Sequence, residues 1–392
     1  MREVVILGAA RTAGGKFGGS LQKLAAPELG AVVIREAIAR SGISPDVVDQ
    51  TVFGNAWQAA VGPNPARIAA VKGGVPAESP AVSINVRCGS SIQALIFGAQ
   101  AIKAGDVETV VVGGMESTNQ VPYALPKARF GYRMGKGEIL DLMHKDGFLC
   151  PIGGGLMGEL SEEIAQEMGI GREEQDAYAA ASHNKAETAV KEGKFRDEVA
   201  PVEVKSRKKT VTFQDEEIYR EGVTAESLAK LSPVFRKDGT ITAANACALC
   251  DAAAAQVLMD REKAQSLGLK PMALVKGYSF VGVDPKRFGL SPAKAIPAAL
   301  KHAGVELGDI DLIELNEAFA AQYIGCEREL GLDRSKVNVH GGAIALGHPV
   351  AATGSKILTT LLYAMKMHDA NLGLVSLCIG GGNGVAAVVE RI

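Results

Sequence analysis

Cys88 opens a stretch suited to a reactive sulfur. Asn85-Val86-Arg87-Cys88-Gly89-Ser90-Ser91 runs into Ile92, Leu95, Ile96, Ala99 and Ile102, an apolar stripe at helical spacing that Gly105 ends. Cys88 is therefore expected at a helix N-terminus, where free N–H groups and the helix dipole favour a thiolate. A buried structural cysteine fits the same pattern equally well. His348, in Gly347-His348-Pro349, projects from a second expected helix start, with Pro349 at its first position and Ile357, Leu358, Leu361, Leu362 and Met365 on its apolar face. A lone histidine is more often structural. This one follows the glycine-rich run Gly341 to Gly347, which gives it a flexible approach. Cys378 ends the apolar run Gly373 to Cys378 and precedes Ile379-Gly380-Gly381-Gly382-Asn383-Gly384. A strand end followed by glycines lets a ligand approach backbone N–H groups, although a plain turn reads the same way. A thiol, an imidazole and a second thiol suit nucleophilic and acid–base chemistry.

Two other patterns carry no such chemistry. Gly14-Gly15-Lys16-Phe17 lacks the upstream glycine and the final Ser/Thr of a phosphate loop. Cys247-Ala248-Leu249-Cys250 is a single CxxC with no second ligand pair to complete a zinc site.

The elements that must hold these residues alternate between strand and helix. Val4–Leu7 reads as a strand, Pro27–Arg40 as a helix stopped by Gly42, Ser90–Ala104 as a helix, and Thr109–Val112 as a strand, which together indicate an α/β layered fold. The chain then repeats itself. Ala37-Ile38-Ala39-Arg40-Ser41-Gly42-Ile43 resembles Ala299-Leu300-Lys301-His302-Ala303-Gly304-Val305, and each copy has an Asp seven residues past its Gly, at Asp49 and Asp311. Each continues to an Asn, at Asn55 and Asn316. Cys88 follows 33 residues after the first Asn and His348 follows 32 after the second. Each half is then expected to end a strand in Gly-Gly, at Gly113-Gly114 and Gly380-Gly381. Two copies of one unit would bring both helix starts to one cleft. Between them, from about Val121 to Asn245, the chain is more charged and reads as an insertion, with one strong helix at Glu173–Glu192. Its basic run Lys205 to Lys209 is expected to be a solvated hairpin tip.

The bulk composition narrows the classes. With 392 residues, 47% apolar and 22% charged, the chain is long enough for two or three packed units. A net charge of −2 argues against nucleic acid or an anionic membrane as partner. No run approaches the roughly 18 to 20 apolar residues that span a bilayer. Val4 to Ala10 suits a buried strand better than a signal segment. Six cysteines without framework spacing suit a reducing, cytoplasmic setting.

Taken together, these segments resemble the thiolase family over essentially the whole chain. The resemblance is carried by Arg11 to Leu21, the Cys88 segment, Gly113-Gly114-Met115-Glu116-Ser117, Asn316-Glu317-Ala318-Phe319-Ala320, Asn338 to Gly354, and Cys378 to Gly384. It implies an α/β/α/β/α thiolase fold with residues 1–120 plus 246–270 as one half, 271–392 as the other, and 121–245 as a loop domain for coenzyme A and oligomer contacts. The implied reaction is the reversible Claisen condensation of two acetyl-CoA to acetoacetyl-CoA and CoA. Its alternatives are a thiolase of broader chain length and an inactive coenzyme A-binding scaffold. By resemblance, Cys88 is the acylated nucleophile, His348 its activator and Cys378 the acid/base. Asn316 would hold a water that joins His348 in one oxyanion hole, and the N–H groups of Cys88 and Gly380 would form the other. Arg220, Ser227, Cys247, Leu156, Met157, Phe288 and Phe319 are implied as contacts for coenzyme A and the acyl group. No cofactor or metal is implied, the thioesters being substrates, and homodimers or homotetramers are expected. The chain departs from the family's short-chain pattern in four places. Leu156-Met157-Gly158 stands for His-Met-Gly, and Phe288 stands for Met. Ala244 to Ala252 is altered throughout, and Ala351-Ala352-Thr353-Gly354 replaces Gly-Ala-Ser-Gly.

Overall fold

The computed structural model describes residues 2–205 and 209–392. Alternation along its first strand, β1 (Val4–Arg11), sets the layering. Val5, Leu7 and Ala10 enter one core, while Val4, Ile6 and Ala9 enter another. The parity changes at Gly8 because the register shifts there in a bulge. A Cβ on Gly8 would lie 2.5 Å from the carbonyl oxygen of Ala37, so the helix can lie against the strand only if that residue is glycine.

The other strands of the large sheet are β2 (Gly15–Lys16), β3 (Gln50–Gly54), β4 (Ala81–Ile84), β5 (Thr109–Glu116), β6 (Cys250–Asp260), β7 (Ala273–Gly282), β8 (Leu312–Leu315), β9 (Leu372–Ile379) and β10 (Asn383–Arg391). They run in the order β8-β9-β10-β7-β1-β6-β5-β3-β4, with β2 added onto β6. Two similar halves meet where β1 and β7 exchange only two residue pairs, Val5 with Leu274 and Ile6 with Ala273. In the first half β3 and β5 are parallel, and β5–β6 and β6–β1 are antiparallel. In the second, β8 and β9 are parallel, and β9–β10 and β10–β7 are antiparallel. The β7 strand carries its own bulge before Gly277, which packs on Ala299 and Ala303 as Gly8 packs on Ala37 and Ser41.

The longer helices are α1 (Ala26–Ser41), α2 (Pro65–Lys72), α3 (Ser90–Ala104), α4 (Met157–Glu167), α5 (Arg172–Lys191), α6 (Pro292–Ala303), α7 (Ala320–Leu330) and α8 (Thr353–Met367). Outer helices α1 and α2 cover the first half, and α6 and α7 cover the second. Between the two sheet halves, α3 and α8 share a core through Ile92, Leu95, Leu358 and Leu361. The result is the five-layer α/β/α/β/α order expected from the resemblance. The repeat extends to single contacts. Asp49 Oδ2 accepts from the N–H groups of Glu108 and Thr109, and Asp311 Oδ2 accepts from those of Asn371 and Leu372.

Three local expectations are corrected. Pro349 does not begin α8. A 3₁₀ turn, Val350–Ala352, intervenes, and the helix starts at Thr353. Gly113 and Gly114 lie inside β5 rather than ending it, the strand running on to Glu116, and they pass close to the backbone of Ala254 and Ala351. The first strand extends to Arg11, well past Leu7, because Arg11 is buried and paired with Glu198 and Glu216.

The segment 121–245 forms small two-stranded pairs around α4 and α5. Strands Val202–Lys205 and Thr210–Phe213 pair antiparallel, and the expected tip between them, Ser206 to Lys208, lies outside the described residues.

Candidate active site

Cys88 sits in a single 3₁₀ turn, Arg87–Gly89, that feeds directly into α3. The turn is locally strained. Arg87 adopts φ 54°, a left-handed conformation that costs a non-glycine residue about 1–2 kcal/mol. Neighbouring polar groups hold it there: the Arg87 N–H donates to Asn85 Oδ1 at 2.9 Å, and the Ser90 hydroxyl donates to the Arg87 carbonyl at 2.6 Å. Gly89 lets the turn press onto the end of β9, since a Cβ there would lie 2.2 Å from Ile379 Cδ1. That contact brings the Cys88 turn up to the strand bearing Cys378.

His348 arrives from the opposite half. Its Nε2 lies 3.2 Å from Cys88 Sγ, and its Nδ1 lies 2.6 Å from Thr353 Oγ1, the first residue of α8. Its backbone N–H donates to Ala248 at 2.9 Å, and the Cys247 N–H donates to Ala318 at 3.0 Å. One irregular strip, 246–248, thus ties His348 to the Asn316–Phe319 segment. Cys378 is the penultimate residue of β9, buried and paired with Gly384 across the glycine hairpin. The N–H groups of Gly380 and of Cys88 itself both favour the ionised form of the Cys88 sulfur.

Electrostatics differ from the helix-terminus expectation. Burial pushes the Cys88 thiol up, against opposing pulls from Arg87 and the two N–H groups, so desolvation outweighs the helix start. Burial, reinforced by Lys356, pulls His348 down to about 3. At rest, then, a neutral thiol faces a neutral imidazole, and charge separates only as the sulfur attacks. Cys378 is pushed well up, chiefly by burial and then by the neighbouring thiols Cys88, Cys326 and Cys247.

A cavity of about 500 Å³ joins these groups. Cys88, His348, Cys378, Gly380, Cys247, Leu156, Met157, Phe288 and Phe319 all line it, as do His144, Phe148 and Phe235. The Phe235 ring meets Phe319 edge-on at 6.0 Å. Asn316 does not line the cavity. It is buried directly after β8, and among the described residues neither atom of its amide has a partner, a costly state unless water or ligand completes it. Arg220 and Ser227 are exposed and outside the cavity lining. Arg220 donates its N–H to His183 Nδ1, and Ser227 belongs to the cap of a short helix, Ala225–Leu228. Sequence reasoning missed Thr353 as the partner of His348, and also His144, Phe148 and Phe235. A hydroxyl five residues after the histidine was the available signal for the first. His144 and Phe148 lie in the single helical turn Met143–Phe148 and Phe235 in an irregular stretch, with no periodicity to mark them.

Family models for the thiolase N-terminal domain and the thiolase C-terminal domain match residues 4–262 and 269–391. The chain is 51% identical to an acetyl-CoA acetyltransferase of Cupriavidus necator over 392 residues, covering all of both proteins. It is 47% identical to one of Escherichia coli over 393 residues, again with full coverage of both. The solved structure of an acetyl-CoA acetyltransferase from Syntrophomonas wolfei superimposes with a TM-score of 0.98 at 41% identity over all of both chains. That from Bacillus anthracis gives 0.98 at 43%, over 100% of this chain and 99% of the other. A chain with two matching halves, a cysteine and a histidine in contact across them, and relatives this similar along its full length belongs to the thiolase family.

Proposed function

We propose that the protein condenses two acetyl-CoA molecules to acetoacetyl-CoA and CoA, and cleaves acetoacetyl-CoA in reverse. The observation that carries this reading is the 3.2 Å contact between Cys88 Sγ and His348 Nε2 in a cavity that also receives Cys378. With Nδ1–H donated to Thr353, Nε2 is free to take the Cys88 proton as the sulfur attacks the first thioester. The oxyanion forms beside the N–H groups of Cys88 and Gly380, where each such donor is worth roughly 3 kcal/mol in comparable sites. The departing CoA sulfur takes a proton from Cys378, leaving acetyl-Cys88, a Cys378 thiolate and a protonated His348. A thiol pushed up by burial is a stronger base once ionised, and the Cys378 thiolate then removes the α-proton of the second acetyl-CoA. His348 and a water on the Asn316 amide hold the enolate oxygen. The carbanion attacks acetyl-Cys88, and the released sulfur recovers its proton from His348. Every proton returns to its owner, and the step uses no cofactor beyond the thioester substrates.

Acyl length follows from the cavity wall. Phe288 is fully packed against it, and a rigid ring in a filled pocket excludes extra methylenes more steeply than Leu156 rewards them. Thiolysis with CoA, followed in the ultraviolet, is expected to favour acetoacetyl-CoA over 3-ketohexanoyl-CoA by about tenfold or more in kcat/KM. Phe288→Ala narrows that gap. No thiolysis of acetoacetyl-CoA would refute the activity, and equal rates on both substrates would place the protein in the broader chain-length class.

The insert 121–245 supplies contacts for coenzyme A and for other copies of this chain. Tyr123, Phe130, Met134 and Ile139 stand exposed along one of its segments, and the edge strand β4 bares Val82. Two such surfaces suit a dimer that pairs into a tetramer. Light scattering after size exclusion should show a tetramer that Phe130→Asp with Met134→Asp reduces to a dimer. A monomeric wild type would contradict it. Six unpaired cysteines suit a reducing cytoplasm, and no helix of the described residues is long and apolar enough to cross a membrane.

A further inference from the structure

Lys356 is buried in the first turn of α8, a place where the helix dipole disfavours a cation. Its ammonium donates to the carbonyl of Leu346 at 2.6 Å and to that of Gly347 at 3.3 Å. These carbonyls end the single helical turn Ala343–Leu346, and Gly347, at φ 83°, redirects the chain into His348. The acyl-transfer scheme above makes no use of this cation. We propose that Lys356 is a positioning residue for acyl transfer, clamping the two peptide units before His348 so that Nε2 stays in contact with the Cys88 sulfur.

The surroundings favour this role. Burial pulls the Lys356 ammonium down, and Arg11 beside it does the same, while Glu216 and Glu198 favour its charge; Cys250 packs its sulfur under Gly347. Glu216 also accepts the Gly14 N–H at 2.9 Å, which backs the same loop from the first half. On the far side of the loop, Glu116 accepts the Ala351 N–H at 2.9 Å. His348 itself faces Cys88, Thr353 and the Lys356 charge. That charge keeps the imidazole unprotonated before the reaction begins and also makes it a weaker base, so the clamp acts through the placement of Nε2 rather than through its basicity.

The inference rests on His348 acting as the base for Cys88, and the test separates the two ideas. Acetylation of Cys88 by acetyl-CoA is followed by acid quench and intact mass in wild type, Lys356→Met, Lys356→Arg, His348→Asn and the Met/Asn double variant. Lys356→Met should slow acetylation about thirtyfold or more with KM changed less than about threefold, because a shift on the order of 1 Å at a reacting pair costs up to a hundredfold. Lys356→Arg should recover to within about fivefold, because it keeps the charge and the donors. In the double variant the lysine change should add less than about threefold, because the residue it positions is already gone. The acid limb of the rate profile should move to higher pH in Lys356→Met, since removing a neighbouring cation raises the affinity of His348 for a proton. If Lys356→Met does not fold, Lys356→Gln, which keeps a donor without the charge, is expected to slow acetylation about tenfold with the same upward move. A slow His348→Asn beside a Lys356 variant with wild-type rate and profile overturns the positioning role alone. A wild-type rate in His348→Asn overturns the catalytic reading on which it rests.

Discussion

Cys88→Ser is expected to leave the fold intact and to lower kcat for acetoacetyl-CoA thiolysis by at least about 10⁴-fold, with no acetyl group gained from acetyl-CoA. The side chain sits in a turn fixed by backbone and by Asn85 and Ser90, so an oxygen in place of sulfur leaves the local contacts unchanged. The chemistry changes more. A hydroxyl gives up its proton far less readily than a thiol, and its base, His348, is held to about 3 and is a weak acceptor. Sulfur is needed because this pair starts neutral. Unchanged melting with abolished acetylation is the result to look for. Retained turnover in Cys88→Ser would remove the residue from the nucleophile's role.

Cys378→Ala is expected to divide the reaction. The variant should still acetylate Cys88, since His348 can return its proton to the departing CoA. Condensation should fall by about 10³-fold or more, the range that loss of a positioned acid–base group produces. Deuterium exchange into the methyl group of acetyl-CoA should be lost with it. The cavity keeps its shape around the missing sulfur, because Cys378 is held by β9 and its hairpin with β10 rather than by the thiol. Normal exchange in the variant would assign the α-proton to another base.

Much of this arrangement was legible before any coordinates. The paired aspartates, Asp49 and Asp311, mark the same turn in each half, and in the structure both cap the strand beside them with the same two N–H contacts. The spacing from Asn55 to Cys88 and from Asn316 to His348 placed both landmarks before central helices that touch each other. Cys88 precedes its helix by two residues and His348 by five, which lets the two side chains meet rather than lie symmetrically. What sequence could not supply is burial. The helix start suggested an ionised Cys88, whereas desolvation in the assembled cavity pushes its thiol up. Pro349 looked like a helix start because its backbone suits that place, but the turn Val350–Ala352 is needed to bring the Ala351 N–H onto Glu116. Phe319 was already marked by the Asn316–Ala320 segment, but Phe148, which closes the short helical turn Met143–Phe148, and Phe235, in an irregular stretch, have no local period that could announce them.

The central claim is that acetyl passes through Cys88 on its way to the second thioester. Wild-type protein mixed with acetyl-CoA, quenched in acid within the first turnovers and digested, tests it directly. The account predicts one acetyl group on the peptide that carries Cys88, removed when free CoA is added before the quench. Turnover with no acetyl on Cys88, or with the acetyl on Cys247 or Cys378 instead, would contradict it.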